Sequence, residues 1–81
     1  PYAQRGGYGT VAEAFTGLPS FTGFPDGPPT LSSSYAQADS VAATFAALGT
    51  MVALEERRRS GQGQEVDVSL YEPLFRLIEF Q

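Results

Sequence analysis

The amino-acid sequence predicts an α/β fold class, and three observations carry that reading. Residues 39–59 repeat apolar side chains at Val41, Phe45, Leu48 and Val52, with Met51 on the flank, at the 3.6-residue period of a helix. Residues 65–70, Glu65-Val66-Asp67-Val68-Ser69-Leu70, alternate polar and apolar as a half-buried strand does. The five residues Ser60-Gly61-Gln62-Gly63-Gln64 join the two, and a helix feeding a strand through so short a loop is half of an α/β unit. One strand makes no sheet, so its partners are expected outside these residues or in a second copy of the chain.

Taken in order, the chain opens on Gly6 and Gly7 between Tyr2 and Tyr8, with Gly9 following. Such spacing could suggest a phosphate cradle, but no strand precedes these glycines and no Lys follows them, so a cradle is not the expected reading. Thr10-Val11-Ala12-Glu13 is a T-x-x-E capping box; Ala14 and Phe15 continue it and Gly17 stops it, which predicts a helix of about two turns. Residues 18–37 form a long non-helical stretch holding Pro19, Pro25, Pro28 and Pro29. Within it Pro25-Asp26-Gly27 reads as a turn, Pro25 presetting φ and Gly27 accepting a positive φ. Phe21, Phe24 and Leu31 are its expected anchors, either for an ordered loop beside a site or for a plain surface loop with buried plugs.

The central helix, residues 39–59, is framed by N-cap candidates Asp39 and Ser40, by Arg57, Arg58 and Arg59 in its last turn, and by Gly61 as a stop. Its many alanines predict close packing on more than one side. After the strand, Ser69-Leu70-Tyr71-Glu72 repeats the capping-box pattern, and Leu74, Leu77 and Ile78 recur at helical spacing, with Pro73 tolerable in the first turn. The expected order is helix, long loop, helix, strand, helix.

Composition narrows the chemistry. Eighty-one residues make one domain at most, and the start at Pro1 and the end at Gln81, inside an apolar helical pattern, are expected of a segment of a larger protein. Hydrophobic residues make up 42% and charged residues 17%, which is globular rather than disordered. The net charge is −4 and the only basic cluster directly follows Glu55 and Glu56, which argues against a nucleic-acid surface. Without Cys or His, disulfides, thiolate nucleophiles, imidazole acid–base chemistry and the usual zinc sites are excluded for these residues. Chemistry must come from carboxylates, hydroxyls, Tyr or backbone. No run of consecutive apolar residues approaches a membrane span and no signal peptide is visible, so a cytoplasmic protein with no membrane partner is expected.

Asp39 has two readings. A carboxylate at a helix N-terminus meets free backbone N–H groups and the positive end of the dipole, which orient it, and an oriented carboxylate can serve as a nucleophile. It can equally be a plain N-cap, a position Asp occupies often.

Together the stretches GYGTVAEAFTGLPSFTGFPDGPPT, YAQADS and RRRSGQGQEVDVSLYEPLF resemble the class III CoA-transferases, the family of formyl-CoA transferase, carnitine CoA-transferase and alpha-methylacyl-CoA racemase. The likeness covers residues 1–81, with Ser60 where the family usually has Thr. It implies a partial large domain of a Rossmann-like α/β enzyme whose two chains interlock into a homodimer, with residues 66–70 as one strand of its sheet. Acyl-CoA and carboxylate substrates are implied, with coenzyme A as a substrate thioester and no resident cofactor or metal. In the transferases the Asp matching Asp39 is the nucleophile, passing through a mixed anhydride and an aspartyl-CoA thioester. Tyr8 matches a Tyr near the substrate in formyl-CoA transferase, whereas Gly9 replaces the acidic residue beside it, a departure that tells against formyl and oxalyl specificity. Racemases carry a His at the position of Tyr8, so an acyl-CoA racemase is the alternative enzyme, disfavoured by the missing base. A non-catalytic fragment serving only dimer packing is the alternative outside catalysis. Gln37 is expected either to donate a hydrogen bond to a substrate carbonyl or to tie down the loop.

Overall fold

The structure, a computed structural model, describes residues 3–31 and 36–78. Among them all regular structure is helical: α1 (Gly9–Thr16), a 3-10 turn (Leu18–Phe21), α2 (Gln37–Ser60) and α3 (Glu72–Leu77). The α/β expectation, with its strand at 65–70 in a Rossmann-like sheet, is therefore corrected. Residues 62–69 run as irregular backbone back along α2: Gly63 and Gln64 lie beside Thr50, Ala53 and Leu54, and Val68 and Ser69 beside Phe45. The alternation sorts the faces only in part: Val68 and Leu70 are half-buried and Glu65 and Asp67 exposed, but Val66 is 40% exposed and Ser69 is half-buried. A strand, however, needs a neighbouring backbone to complete its ladder, and what flanks this segment is a helix whose own N–H and C=O groups are already paired.

The helix ends show which local signals act. Gly17 and Gly61 close α1 and α2 in the left-handed region, with φ of 82° and 77°, as glycine permits. The N-termini differ from expectation. Tyr8, not Thr10, is the N-cap of α1, and Glu13 is buried along the helix instead of closing a capping box. Ala36 is the N-cap of α2, so the helix begins two residues early and Asp39 sits in its first turn without a capping hydrogen bond. The second box forms by half: the Glu72 N–H donates to Ser69 Oγ at 3.0 Å, with Pro73 in the first turn of α3.

In the proline-rich loop the positive φ falls on Asp26 (62°) instead of Gly27, and the Gly27 N–H donates to the Phe24 carbonyl at 3.0 Å. Asp26 thus takes the third position of the turn Phe24–Gly27, with Pro25 second, and Asp tolerates the left-handed region better than most residues. Thr22 Oγ1 donates to the Thr30 carbonyl and ties the loop's two arms together. Phe21, Phe24 and Leu31 are exposed, Phe24 at 90%, so they anchor nothing among the described residues.

The core is small and lies at one end: Ala12 from α1, Ala38 from α2 and Leu74 from α3, bordered by Leu18, Val41 and Leu70. Along α2 the covered stripe runs through Ala38, Val41, Ala42, Phe45, Ala46, Gly49 and Ala53, whereas Leu48, Met51 and Val52 stand more than 60% exposed. The predicted apolar face therefore splits, and only one of the two sides expected to pack is covered. At Gly49 an added Cβ would lie 2.8 Å from Val66 Cγ1, so glycine there lets the returning segment approach the helix. The molecule is 55 Å long and exposes 6498 Å², against roughly 4,700 Å² for a compact monomer of its mass, the surplus reflecting the uncovered helix.

α2 also changes one sequence expectation: it is long and apolar enough, by length and composition, to cross a membrane. Its small residues raise its average hydropathy without any long unbroken apolar run, which is why run-counting misses it. Ala and Gly equally make a surface for close helix packing.

Candidate functional site around Asp39

The N-terminal ends of α1 and α2 meet. A Cβ built on Gly9 would lie 3.0 Å from Asp39 Oδ1 and 3.2 Å from its Cγ, so the Asp39 carboxylate rests against the first residue of α1. Any side chain at position 9 would push on it. The first hydrogen bond of the α1 ladder runs from the Ala12 N–H to the Tyr8 carbonyl, 3.0 Å, leaving the N–H groups of Gly9, Thr10 and Val11 outside the ladder. In α2 the corresponding bond joins the Ser40 N–H to the Ala36 carbonyl. The carboxylate thus sits at the positive ends of two helix dipoles, its own and that of α1, an arrangement that favours negative charge at this point. Asp39 is exposed, and among the described residues no hydrogen bond or ion pair occupies its oxygens. An oriented carboxylate open to solvent and not consumed by a structural partner can attack an electrophile.

An open groove of about 490 Å³ also runs along α1, and neither Gly9 nor Asp39 lines it. Tyr8, Val11, Ala12 and Phe15 line it from one face of the helix, at spacings of three and four residues, and Leu70 and Tyr71 line it from the approach to α3. The rings of Phe15 and Tyr71 are 5.3 Å apart and inclined at 55°. Arg5, Gly6 and Gly7 complete its lining. Its size lies within the range of small-molecule sites.

Of the residues singled out from sequence, Tyr8 and Asp39 are brought together: Tyr8 is 76% exposed, caps α1 and directly precedes the glycine on which Asp39 rests. Gln37 is the first residue of α2 and half-buried. Two residues apart on a helix, Gln37 and Asp39 point to opposite sides, so they do not share a face. Sequence reasoning passed over two features. Gly9 was read as part of a glycine-rich lead and as a departure from the family pattern, although a missing side chain is itself a signal of close approach. Glu13, one turn beyond Gly9, is 2% exposed, and its Oε1 has no hydrogen-bond partner among the described residues. The T-x-x-E pattern masked it by suggesting a capping role.

The solvent-open Asp39 carboxylate where the amino ends of α1 and α2 meet is the candidate site, and comparison with known proteins gives the family. The model of CoA-transferase family III matches residues 1–81. The chain belongs to that family. It is 52% identical over 79 residues to succinyl-CoA–D-citramalate CoA-transferase of Chloroflexus aurantiacus, covering 98% of this chain and 19% of the relative. It is 38% identical to the succinyl-CoA–L-malate CoA-transferase alpha subunit of Chloroflexus aurantiacus over 79 residues, 98% of this chain and 18% of the relative. It is also 38% identical to acetyl-CoA:oxalate CoA-transferase of Acetobacter aceti, over 89% of this chain and 18% of the relative. The chain thus spans about a fifth of the length of these curated relatives.

Proposed function

We propose that the enzyme to which this chain contributes moves coenzyme A from an acyl-CoA to a carboxylic acid, with Asp39 as the nucleophile. One observation carries the reading: the carboxylate rests on Gly9, where the amino ends of α1 and α2 converge. An Asp39 oxygen attacks the thioester carbonyl of the donor; the C–S bond breaks, CoA leaves as thiolate, and a mixed anhydride remains on Asp39. The thiolate then attacks the Asp39 carbonyl, releasing the donor acid as its carboxylate and leaving an aspartyl-CoA thioester. The acceptor carboxylate attacks that thioester, and the same two steps in reverse yield the new acyl-CoA and free Asp39. Helix N-termini aimed at the site would favour the carbonyl oxygen as it gains negative charge.

Tyr8 would line the acyl pocket, and Gln37 would hold the turn into α2. The diacids in the names of the similar proteins, succinyl donors with citramalate and malate acceptors among them, support a short dicarboxylate as donor, acceptor or both. Coenzyme A enters as a substrate, and a homodimer is the proposed assembly.

The test is CoA transfer by the full-length enzyme from succinyl-CoA to citramalate or malate, followed by chromatography of the CoA esters, with Asp39→Asn in parallel. The wild type is expected to form the new ester, and the variant to lose at least about a thousandfold in turnover. Asp39→Asn turning over like the wild type would overturn the nucleophile assignment. Exchange of the α-proton in deuterium oxide without transfer would instead show a racemase.

A further inference from the structure

Neither the packing nor the chemistry above uses the carboxylate of Glu13. It is 2% exposed, and its Oε1 has no hydrogen-bond partner among the described residues. A carboxylate so deeply covered is almost always paired, because taking a charge out of water is costly unless an opposite charge meets it.

The surrounding residues show why nothing among them does so. The buried stripe of α1 is Gly9, Ala12, Glu13 and Thr16. Gly9 and Ala12 carry no polar side-chain atom. Thr16 has a hydroxyl, but it donates to the Glu13 carbonyl at 2.7 Å and accepts from the Leu18 N–H at 3.2 Å. Ala38 and Leu74, which complete the core at this end, are apolar. Arg58 and Arg59 are taken up by Glu55 and Glu56, and Arg57 shares their end of α2, roughly 27 Å along the helix from Asp39 at 1.5 Å per residue. Arg5 and Arg76 hold interactions of their own.

A second negative charge stands close by. Glu13 is one turn beyond Gly9 on the same face, about 5–6 Å between Cβ positions, and a Cβ at Gly9 would lie 3.0 Å from Asp39 Oδ1. Side chains of a helix lean toward its amino end, which brings Glu13 toward that point. This corner therefore gathers two carboxylates, while the cations with identified partners sit at the far end of α2. A metal ion is a poor fit, since no group of three or more candidate ligands forms among the described residues. A guanidinium or ammonium group suits the corner better: it neutralises the charge, and its N–H donors satisfy the open oxygen. Rotation about the side chain's own bonds lets Glu13 turn to meet such a group at the edge of the helix pair.

We propose that Glu13 forms a buried ion pair with an Arg or Lys outside residues 1–81, and that this pair fastens the corner between α1 and α2 to the rest of the enzyme. The chain spans about a fifth of the length of its relatives, so the full-length enzyme has ample sequence to supply the cation, from the same polypeptide or from a partner subunit. The inference stands apart from the transferase reading, because it concerns what neutralises Glu13 and not what Asp39 attacks.

The test is a crystal structure of the full-length enzyme together with the stability of Glu13→Gln, which keeps the shape of the side chain and removes its charge. The structure is expected to place an Arg or Lys nitrogen within about 4 Å of a Glu13 carboxylate oxygen, and to show whether it comes from the same chain or from a partner. Only water or neutral donors around Glu13 would overturn the proposal. In denaturant unfolding, Glu13→Gln strands the partner cation, and the folding equilibrium constant is expected to fall about a hundredfold or more. A variant as stable as the wild type, or more so, overturns the proposal, since removing an unpaired buried charge relieves a cost instead of creating one. Should the variant fail to fold, the wild-type structure decides alone.

Discussion

The two ends of α2 have different fates. At the amino end Ala38 is wholly buried against Ala12 and Leu74, and Asp39 beside it meets Gly9. Toward the carboxyl end Leu48, Met51 and Val52 face outward, and the helix finishes in the pairs Arg58–Glu55 and Arg59–Glu56, at 3.4 and 2.6 Å. Helix propensity does not separate the ends, since Ala, Leu, Met, Glu and Arg are all strong formers. The difference comes from neighbours: α1 and α3 both dock at the amino end, while the far end is accompanied only by the returning segment 62–69. A polar group is most useful where packing can fix it. The candidate nucleophile stands where, among the described residues, three helices meet.

Leu74→Ala should break that contrast most severely. Leu74 is 1% exposed and joins α3 to both other helices, so its loss is expected to destabilise the packed end by about 2–3 kcal/mol, read by denaturant unfolding of the full-length enzyme. A change below about 0.5 kcal/mol would mean that the packed end is no more cooperative than the bare one. Gly9→Ala sharpens the comparison at the site itself. Alanine suits a helix better than glycine, so stability should hold or rise, yet its Cβ would stand 3.0–3.3 Å from the Asp39 carboxylate and displace it. Turnover is expected to fall roughly ten- to a hundredfold, as misplacement of a reacting group does. Wild-type turnover would mean that the carboxylate is not held against Gly9. Glu56→Gln, at the bare end, removes the closer ion pair of two exposed i,i+3 partners and should cost less than about 0.5 kcal/mol with turnover unchanged.

Much of this was legible in the sequence. The period of residues 39–59 gave a long helix, Gly17 and Gly61 gave its neighbour's end and its own, and the ordered motifs gave the family. These signals are local or cumulative, so a single chain suffices to read them. The strand at 65–70 was not, because alternation reports which face is apolar and says nothing about whether a second backbone lies alongside to pair with. The N-caps of α1 and α2 were missed by two and three residues for a related reason. Thr10 and Asp39 are good capping side chains, but docking of α1 on α2 starts each helix earlier, at Gly9 and Gln37, and overrides the local preference. Asp39 was legible as chemistry and the role of Gly9 beside it was not, because residues 30 positions apart meet only through the fold.

In the proposed mechanism Asp39 carries the acyl group and then coenzyme A. Its most direct test is peptide mass spectrometry of the full-length enzyme after incubation with succinyl-CoA and quenching with hydroxylamine, which converts an activated aspartyl carbonyl into a hydroxamate. The expected result is a hydroxamate on Asp39 and on no other carboxylate, absent without donor. An unmodified Asp39 peptide from enzyme that is turning over would contradict the account.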